Sequence, residues 1–259
     1  MRSVTSKDSS NNKKRKKVLL LTGACNGIGK AIVKEFYKSD YNIMINDVQS
    51  DELKKIAENT SKVFPKNSND TKIAHFFGDI SQQETSRSLI EETVKQFGGI
   101  DILINNISTP GISVIGKTTS NYIEQQTTDY FTLEEYGISD RNLKGAYLCI
   151  RELVQYLINN NKVIIYEENI NDMETETFSI INISCPFDSI PDDLLYKGTI
   201  SQSGVDPFTS SRSGIKTLTK TIALQLASIG IRVNAIAPGI ISTDIHKDAK
   251  EGNQKDISK

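Results

Sequence analysis

The sequence predicts an α/β fold in which a doubly wound parallel sheet carries helices on both of its faces. Two observations support this prediction. Residues 18–31 have the pattern of a buried strand, a glycine-punctuated turn and the start of a helix. Short apolar, β-prone segments then alternate with segments of helical periodicity, which is typical of parallel strands joined by crossover helices.

The composition favours one large globular domain. The chain has 259 residues, with 31 Lys and Arg against 32 Asp and Glu, so no strong net charge directs it to nucleic acid. Its three cysteines and two histidines lack metal-ligand spacing, which argues against a metal site and a histidine-based triad. No apolar run approaches the roughly 18 residues of a membrane span, and no signal peptide is visible. We therefore expect a cytoplasmic protein with no membrane partner.

The first strand leads into a loop suited to bind phosphate. Gly23, Gly27 and Gly29 follow the apolar run VLLL, and glycines allow a tight turn and close approach of a ligand. The helix that begins there leaves unpaired N–H groups and partial positive charge at its N-terminus, which can hold a phosphate. The apolar face expected for this helix consists of Ile28, Ala31, Ile32 and Phe36.

The remaining elements are predicted from their periodicity and from their flanking turn residues. In the first half, strands are expected at 41–45, 73–77 and 100–106, and helices at 51–63 and 82–97. In the second half, helices are expected at 133–157 and 208–227, and strands at 178–184 and 231–237.

A basic tail precedes the predicted domain. Residues 1–17 are polar and end in the run KKRKK, which we interpret as a solvated, disordered arm. A nucleic-acid-binding patch is the weaker alternative, because no aromatic residue is interleaved with the charges. Residues 18–259 are predicted to form a single domain with polar surface insertions near 108–129, 159–177 and 188–206.

Several motifs occur in a recognisable order. Residues 22–29 read TGACNGIG, Asn105 and Asn106 close the fourth strand, and residues 231–239 read IRVNAIAPG. Over nearly the whole chain these motifs resemble the short-chain dehydrogenase/reductase family. The resemblance implies a Rossmann-type fold, a nicotinamide cofactor and a small-molecule substrate. The cofactor-binding positions that it implies are Gly23, Asn26, Gly27, Ile28, Gly29, Asp47, Asp79, Ile80, Asn106, Arg212, Pro238, Gly239 and Thr243.

Asp47 favours NAD over NADP. It closes the second strand, where a carboxylate can accept hydrogen bonds from both ribose hydroxyls and would repel a 2′-phosphate. Neither Asn26 nor Val48 supplies a basic group at the usual phosphate-reading positions. A solvated acid at a strand end is the alternative interpretation of Asp47.

The resemblance fails at most of the catalytic positions. In the family a tyrosine transfers the proton, a lysine four residues later lowers the pKa of that tyrosine, and a serine positions the substrate oxygen. Counting back along the helix from Ala223, the tyrosine and lysine positions hold Phe208 and Arg212. The serine position holds Cys185, and of the four catalytic positions only Asn142 keeps its family residue.

These substitutions differ in their chemical consequences. Phe208 has no ionisable proton, and loss of a general acid or base costs on the order of 10²–10⁴ in rate. Arg212 keeps a positive charge and could still hold ribose hydroxyls, although it does not readily share a proton. Cys185 is interpreted as a small buried hydrophobic residue, with a redox-active thiol as the alternative.

We therefore predict a nicotinamide-binding homologue whose hydride transfer is lost or strongly weakened. The alternative is an active NAD-dependent enzyme for a sugar-like or other carbonyl or alcohol substrate. In that case water, or Tyr196 on the loop between the serine and tyrosine positions, replaces the missing tyrosine. A nucleic-acid-associated protein that uses the basic tail is the minor third alternative.

Two further departures concern the cofactor and the assembly. Ile107 and Ser108 stand where the family has Ala and Gly, so steric interference with the cofactor is expected. Twenty residues follow Gly239, too few for the family's later helices and final strand, so that last strand region is predicted to be missing. An exposed strand edge at 231–237 and a weakened homo-oligomer are therefore expected.

Overall fold

A computed structural model of the chain describes residues 15–64, 71–107, 133–163, 177–184, 207–239 and 241. The strands are β1 (Val18–Thr22), β2 (Asn42–Asp47), β3 (Ile73–Phe77), β4 (Ile102–Asn105), β5 (Phe178–Ile183) and β6 (Ile231–Ile236). They form one parallel sheet in the order β3-β2-β1-β4-β5-β6. The predicted fold class is confirmed, with β4 shorter than the 100–106 segment expected.

Helices connect the strands and cover both faces of the sheet. They are α1 (Gly27–Lys38), α2 (Ser50–Val63), α3 (Gln83–Phe97), α4 (Leu133–Asn159) and α5 (Pro207–Leu226). A 3₁₀ turn, Ala227–Ile229, joins α5 to β6. None of the described helices is long and apolar enough to cross a membrane.

The sheet separates two hydrophobic layers, and β1 contributes to both. Val18 and Leu20 belong to the layer that also contains residues of α3, α4 and α5. Leu19 and Leu21 belong to the layer that contains residues of α1 and α2. All four side chains are fully buried, which explains why β1 is an uninterrupted apolar run rather than an alternating one.

The core-facing side of α1 agrees with the predicted face in part. Gly29, Val33 and Tyr37 are the buried residues of this helix, whereas Ala31 is exposed. A Cβ at Gly29 would lie 2.5 Å from the carbonyl oxygen of Gly23, so α1 makes its closest approach to the turn at this glycine. Ile32 and Phe36 of the predicted face are partly buried and pack against the core, so the prediction is wrong only for the exposed Ala31.

β6 lies at one edge of the described sheet, where it pairs with β5. Ile231 and Val233 are buried, but residues 234–236 are exposed, and Ile236 has 51% of its surface accessible. β6 is therefore the outermost strand on this side of the described sheet, and an open edge beyond it stays a prediction because residues 242–259 lie outside the described residues.

Two basic residues of the predicted tail lie against the amino-terminal end of the sheet. Arg15 Nη1 donates to Asp101 Oδ2 at 2.7 Å, and Asp101 also accepts from the backbone N–H of Val18. Lys16 Nζ donates to Asp40 Oδ1 at 2.9 Å. The charges of Arg15 and Lys16 are therefore engaged by acids that precede β4 and β2, while residues 1–14 lie outside the described residues.

Candidate nucleotide-binding and active site

The strand order places the candidate site at the carboxyl ends of β1, β2 and β4. The chain leaves β1 towards β2 on one side and later returns to β4 on the other. In a doubly wound sheet this reversal opens a crevice between the two inner strands. Thr22 and Asn105, the last residues of β1 and β4, are register partners beside that crevice.

Gly23 is fixed by its backbone conformation and by its surroundings. Its φ is +65°, a left-handed value that favours glycine. A Cβ built on Gly23 would lie 2.2 Å from the carbonyl oxygen of Asn106. Only glycine therefore fits where the turn after β1 meets the end of β4.

Asn26 and Asn106 hold the turn from the β4 side. Asn26 caps α1 by accepting a hydrogen bond from the Gly29 N–H at 2.8 Å. Asn106 Nδ2 donates to the Gly23 carbonyl at 2.8 Å and to Asn26 Oδ1 at 3.0 Å. The other amide atom, Asn106 Oδ1, is buried without a hydrogen-bond partner in the described chain. The site thus retains one buried acceptor that a ligand donor could satisfy.

Asp47 holds the same turn from the β2 side. Its Oδ2 accepts from the backbone N–H of Cys25 at 2.9 Å, and its Oδ1 accepts from the N–H of Val48 at 2.8 Å. The Cys25 thiol also lies 3.8 Å from the Gln49 carbonyl. Asp47 is therefore placed at the glycine-rich loop as predicted, and its carboxylate already binds two backbone amides.

Asp79 and Ile80 follow β3 at the same end of the sheet. Asp79 Oδ1 accepts from the N–H of Ser81 at 2.9 Å, which orders the turn into α3. Ile80 is 4% exposed, so its side chain contributes to the core. Any contribution of Ile80 to a ligand would therefore come from its backbone.

Ile107 is accommodated by α4. Its Cδ1 lies 2.9 Å from the position that a Cβ would take on Gly145, and its side chain packs against the layer of α3, α4 and α5. Gly145 leaves room for this side chain within the core, while interference of Ile107 with a bound cofactor stays a prediction. Ser108 lies outside the described residues.

A buried polar chain crosses the sheet beneath the site. Asn105 Nδ2 donates to Asn182 Oδ1 at 2.9 Å, and Asn182 Nδ2 donates to Thr219 Oγ1 at 2.9 Å. Thr219 in turn donates to the Ile215 carbonyl one helical turn earlier, at 2.7 Å. Sequence analysis did not identify Asn182 or Thr219. The available signal was a polar residue in an apolar strand and another on the apolar face of α5.

Comparison with known proteins decides the family. The profile described as short chain dehydrogenase matches residues 17–166 and 196–254, well over half of the chain. The chain belongs to the short-chain dehydrogenase family. Members of this family are NAD(P)-binding oxidoreductases.

Individual relatives are distant but cover most of the chain. Glucose 1-dehydrogenase 2 of Bacillus subtilis is 28% identical over 243 residues, which are 93% of this chain and 78% of the relative. The 3-oxoacyl-[acyl-carrier-protein] reductase FabG of Staphylococcus aureus is 28% identical over 230 residues, 87% of this chain and 75% of the relative.

Solved structures agree with the observed fold. L-sorbose reductase from Gluconobacter frateurii, in complex with NADPH and L-sorbose, superposes with a TM-score of 0.68 at 22% identity. That match covers 94% of this chain and 77% of the reductase. Levodione reductase superposes with a TM-score of 0.67 at 22% identity, covering 93% of this chain and 78% of its own.

Three features of the glycine-rich turn bear on dinucleotide binding by this short-chain dehydrogenase homologue. Gly23 and Gly29 have no room for a Cβ, and Gly27 and Ile28 begin α1, where the first backbone N–H groups have no intrahelical partner. Together with the unsatisfied Asn106 Oδ1, these features fit the phosphate and ribose groups of such a ligand.

Three residues that are predicted at catalytic positions lie on two neighbouring helices, Asn142 on α4 and Phe208 and Arg212 on α5. Asn142 is fully buried on α4, and its Nδ2 donates to Ser211 Oγ on α5 at 3.3 Å. Ser211, which sequence analysis did not single out, directly precedes Arg212. The backbones of Phe208 and Arg212 lie one turn apart near the start of α5, so both positions are on one helix face.

The other predicted site residues are only partly described. Cys185, Tyr196 and Thr243 lie outside the described residues, as do the side chains of Phe208 and Arg212. Pro238 and Gly239 follow β6 at the carboxyl end of the sheet. A Cβ on Gly239 would meet nothing within 4 Å among the described residues, so packing does not require a glycine there.

The described thiols are poor nucleophiles. Burial, followed by the charge and hydrogen bond of Asp47, raises the pKa of Cys25 to about 12. Burial raises the pKa of Cys149 to about 12 as well. Both thiols therefore stay protonated at neutral pH. In the part of the chain that the structure describes, no three His, Cys, Asp or Glu residues cluster as a metal site.

Proposed function

We propose that this short-chain dehydrogenase homologue binds NAD at its glycine-rich loop and has lost, or nearly lost, hydride-transfer activity. The observation that carries the proposal is the phenylalanine at position 208, the family's tyrosine position. A phenyl ring can neither donate nor accept the proton that accompanies hydride transfer. Arg212 and Cys185 at the lysine and serine positions weaken the same chemistry further.

The cofactor would be held by groups from both sides of the crevice. A nicotinamide cofactor, when bound, supplies or accepts the hydride. The turn at Gly23 and the N-terminus of α1 would hold its pyrophosphate, and Asp47 would accept from the adenosine ribose. Arg212 would contribute donors to the second ribose without taking part in proton transfer.

Local charge supports NAD rather than NADP. The Asp47 carboxylate faces the loop through Cys25 and would repel a 2′-phosphate. The nearby ammonium of Lys30 is paired with Glu52 at 2.7 Å, and the hydrogen bond from Lys30 lowers the pKa of Glu52. The charge of Lys30 is therefore paired with a carboxylate. Val48, the exposed residue that follows Asp47, is apolar.

An active enzyme is the second candidate. Relatives of this chain carry the names of a glucose dehydrogenase and a 3-oxoacyl reductase, which favours retained activity on a sugar-like or other carbonyl or alcohol substrate. Under this alternative, Tyr196 or water would supply the proton in place of Phe208.

Binding and turnover measurements on the wild-type protein separate the two candidates. Calorimetric titration with NAD⁺, NADH and NADPH should give saturable binding of the unphosphorylated cofactors and weaker binding of NADPH. Absorbance assays with aldoses, sugar alcohols and 3-oxoacyl thioesters should give no sustained change in NADH. Rapid wild-type turnover that Tyr196→Phe abolishes would establish the second candidate instead.

A further inference from the structure

Hydrogen bonds hold the glycine-rich turn on two opposite sides, and we call these two sets of bonds the β4-side clamp and the β2-side clamp. On the β4 side, Asn106 Nδ2 donates to the Gly23 carbonyl at 2.8 Å. On the β2 side, Cys25 N–H donates to Asp47 Oδ2 at 2.9 Å, and Ala24 N–H donates to the Asn46 carbonyl at 3.1 Å. The side-chain contact to Asp47 is charge-assisted, so it is the stronger of these two amide contacts.

The Asp47 carboxylate has capacity for both the protein and a ligand. A carboxylate has about four lone-pair sites on its two oxygens. Cys25 N–H occupies one on Oδ2, and Val48 N–H occupies one on Oδ1. The Cys25 thiol also hydrogen-bonds to this carboxylate. At least one lone-pair site remains for a ribose hydroxyl, so binding of the sugar does not require Asp47 to release the loop.

We propose that Asp47 is the positioning residue of the glycine-rich loop as well as its selectivity residue. Through its hydrogen bond with Cys25, Asp47 orders the turn before any nucleotide binds. The same carboxylate therefore selects against a 2′-phosphate and preorganises the turn that would bind the pyrophosphate. Removing it does not convert the protein to an NADP binder. The loop loses its β2-side clamp, and affinity for both cofactors falls. The selectivity half of this inference rests on the proposed function, whereas the loop-ordering half does not.

Amide exchange in the nucleotide-free protein tests the loop-ordering half. Loss of a hydrogen bond to a charged acceptor should accelerate exchange of the Cys25 amide about ten- to hundredfold in Asp47→Ala. Asp47→Asn retains an acceptor without the charge and should give an intermediate rate. Asp51→Asn, which changes an exposed acid in the first turn of α2, should leave Cys25 exchange unchanged. An unchanged Cys25 rate in both Asp47 variants would overturn the proposal.

Titration with NADH and NADPH tests the second half. Asp47→Ala should bind NADH about tenfold more weakly than wild type and should not gain NADPH affinity to the wild-type NADH level. If Asp47→Ala binds NADPH as tightly as wild type binds NADH, Asp47 only selects between the two cofactors. That result would refute the proposal that one carboxylate both selects the cofactor and orders the loop. If wild type binds neither cofactor while Cys25 exchange still depends on Asp47, the proposed function fails and the loop clamp stands.

Discussion

Two independent constraints require glycine at position 23. Its left-handed φ of +65° and the Asn106 carbonyl 2.2 Å from a virtual Cβ act independently. The first excludes most L-residues by backbone strain, and the second excludes any side chain by contact. The TGxxxGIG pattern predicts a glycine here, but the second reason depends on β4, which lies more than eighty residues further along the chain.

Gly23→Ala should therefore destabilise the protein and weaken NADH binding. Backbone strain alone costs about 1–3 kcal/mol, and displacement of Asn106 adds to it. Urea denaturation should report the loss of stability. Gly239→Ala is the matched control for stability, because its Cβ would enter open space. Equal stability of the two variants would contradict the close contact between the turn and β4.

The buried thiol of Cys149 should give a measurable pH dependence. Its pKa is raised from 9.0 to about 12 by burial, so the folded state holds the proton that the unfolded state loses. The contribution of the protonated Cys149 thiol to the free energy of unfolding is therefore complete below pH 9, and it is lost as pH rises towards 12. The difference in unfolding free energy between wild type and Cys149→Ala should be smaller at pH 10 than at pH 7, by about 1.4 kcal/mol. An identical difference at the two pH values would show that the thiol is solvated.

At the scale of elements, α5 depends on a polar contact with the sheet. Its bounds and apolar face follow from 3.6-residue periodicity and were predicted to within one residue at each end. Thr219 interrupts that apolar face and bonds to Asn182 of β5. Periodicity places residues on a face of a helix, but it does not say which residue of a distant strand lies opposite, so this contact required the three-dimensional register.

Thr219→Val should destabilise the protein by about 1–3 kcal/mol, because it keeps the shape of the side chain and leaves the buried Asn182 amide without its acceptor. Thr221→Val is a closely matched control. Thr221 makes the same bond to the carbonyl four residues earlier, at 3.2 Å, but its side chain is exposed. Thermal unfolding of both variants should lower the Tm only for Thr219→Val, and a similar Tm decrease in both would assign the effect to helix propensity.

At the scale of the whole molecule, the carboxyl edge of the sheet brings together residues that are far apart in sequence. Strand–helix alternation and the ordered motifs predict the fold class and place Asp47, Asp79 and Asn106 at this edge. They do not predict that Ile107 is accommodated by Gly145, since that compensation depends on how closely α4 packs against β4. Asn142 of α4, which is predicted at a catalytic position, donates to Ser211 of α5.

We expect the two halves of the site to behave differently. The glycine-rich turn keeps Gly23, Gly27 and Gly29, whereas positions 185, 208 and 212 carry Cys, Phe and Arg. Restoring the family residues should recover chemistry without greatly changing cofactor affinity, because β1, β2 and α1 are untouched.

The most direct test compares wild type with the triple variant Phe208→Tyr/Arg212→Lys/Cys185→Ser. NADH affinity and turnover on the same panel of sugars and 3-oxoacyl thioesters would be measured for both proteins. We expect wild type and the triple variant to bind NADH with similar affinity. Turnover should appear only in the triple variant, or should be faster there than in wild type by on the order of 10²-fold or more. Wild-type turnover equal to or faster than that of the triple variant would contradict this expectation.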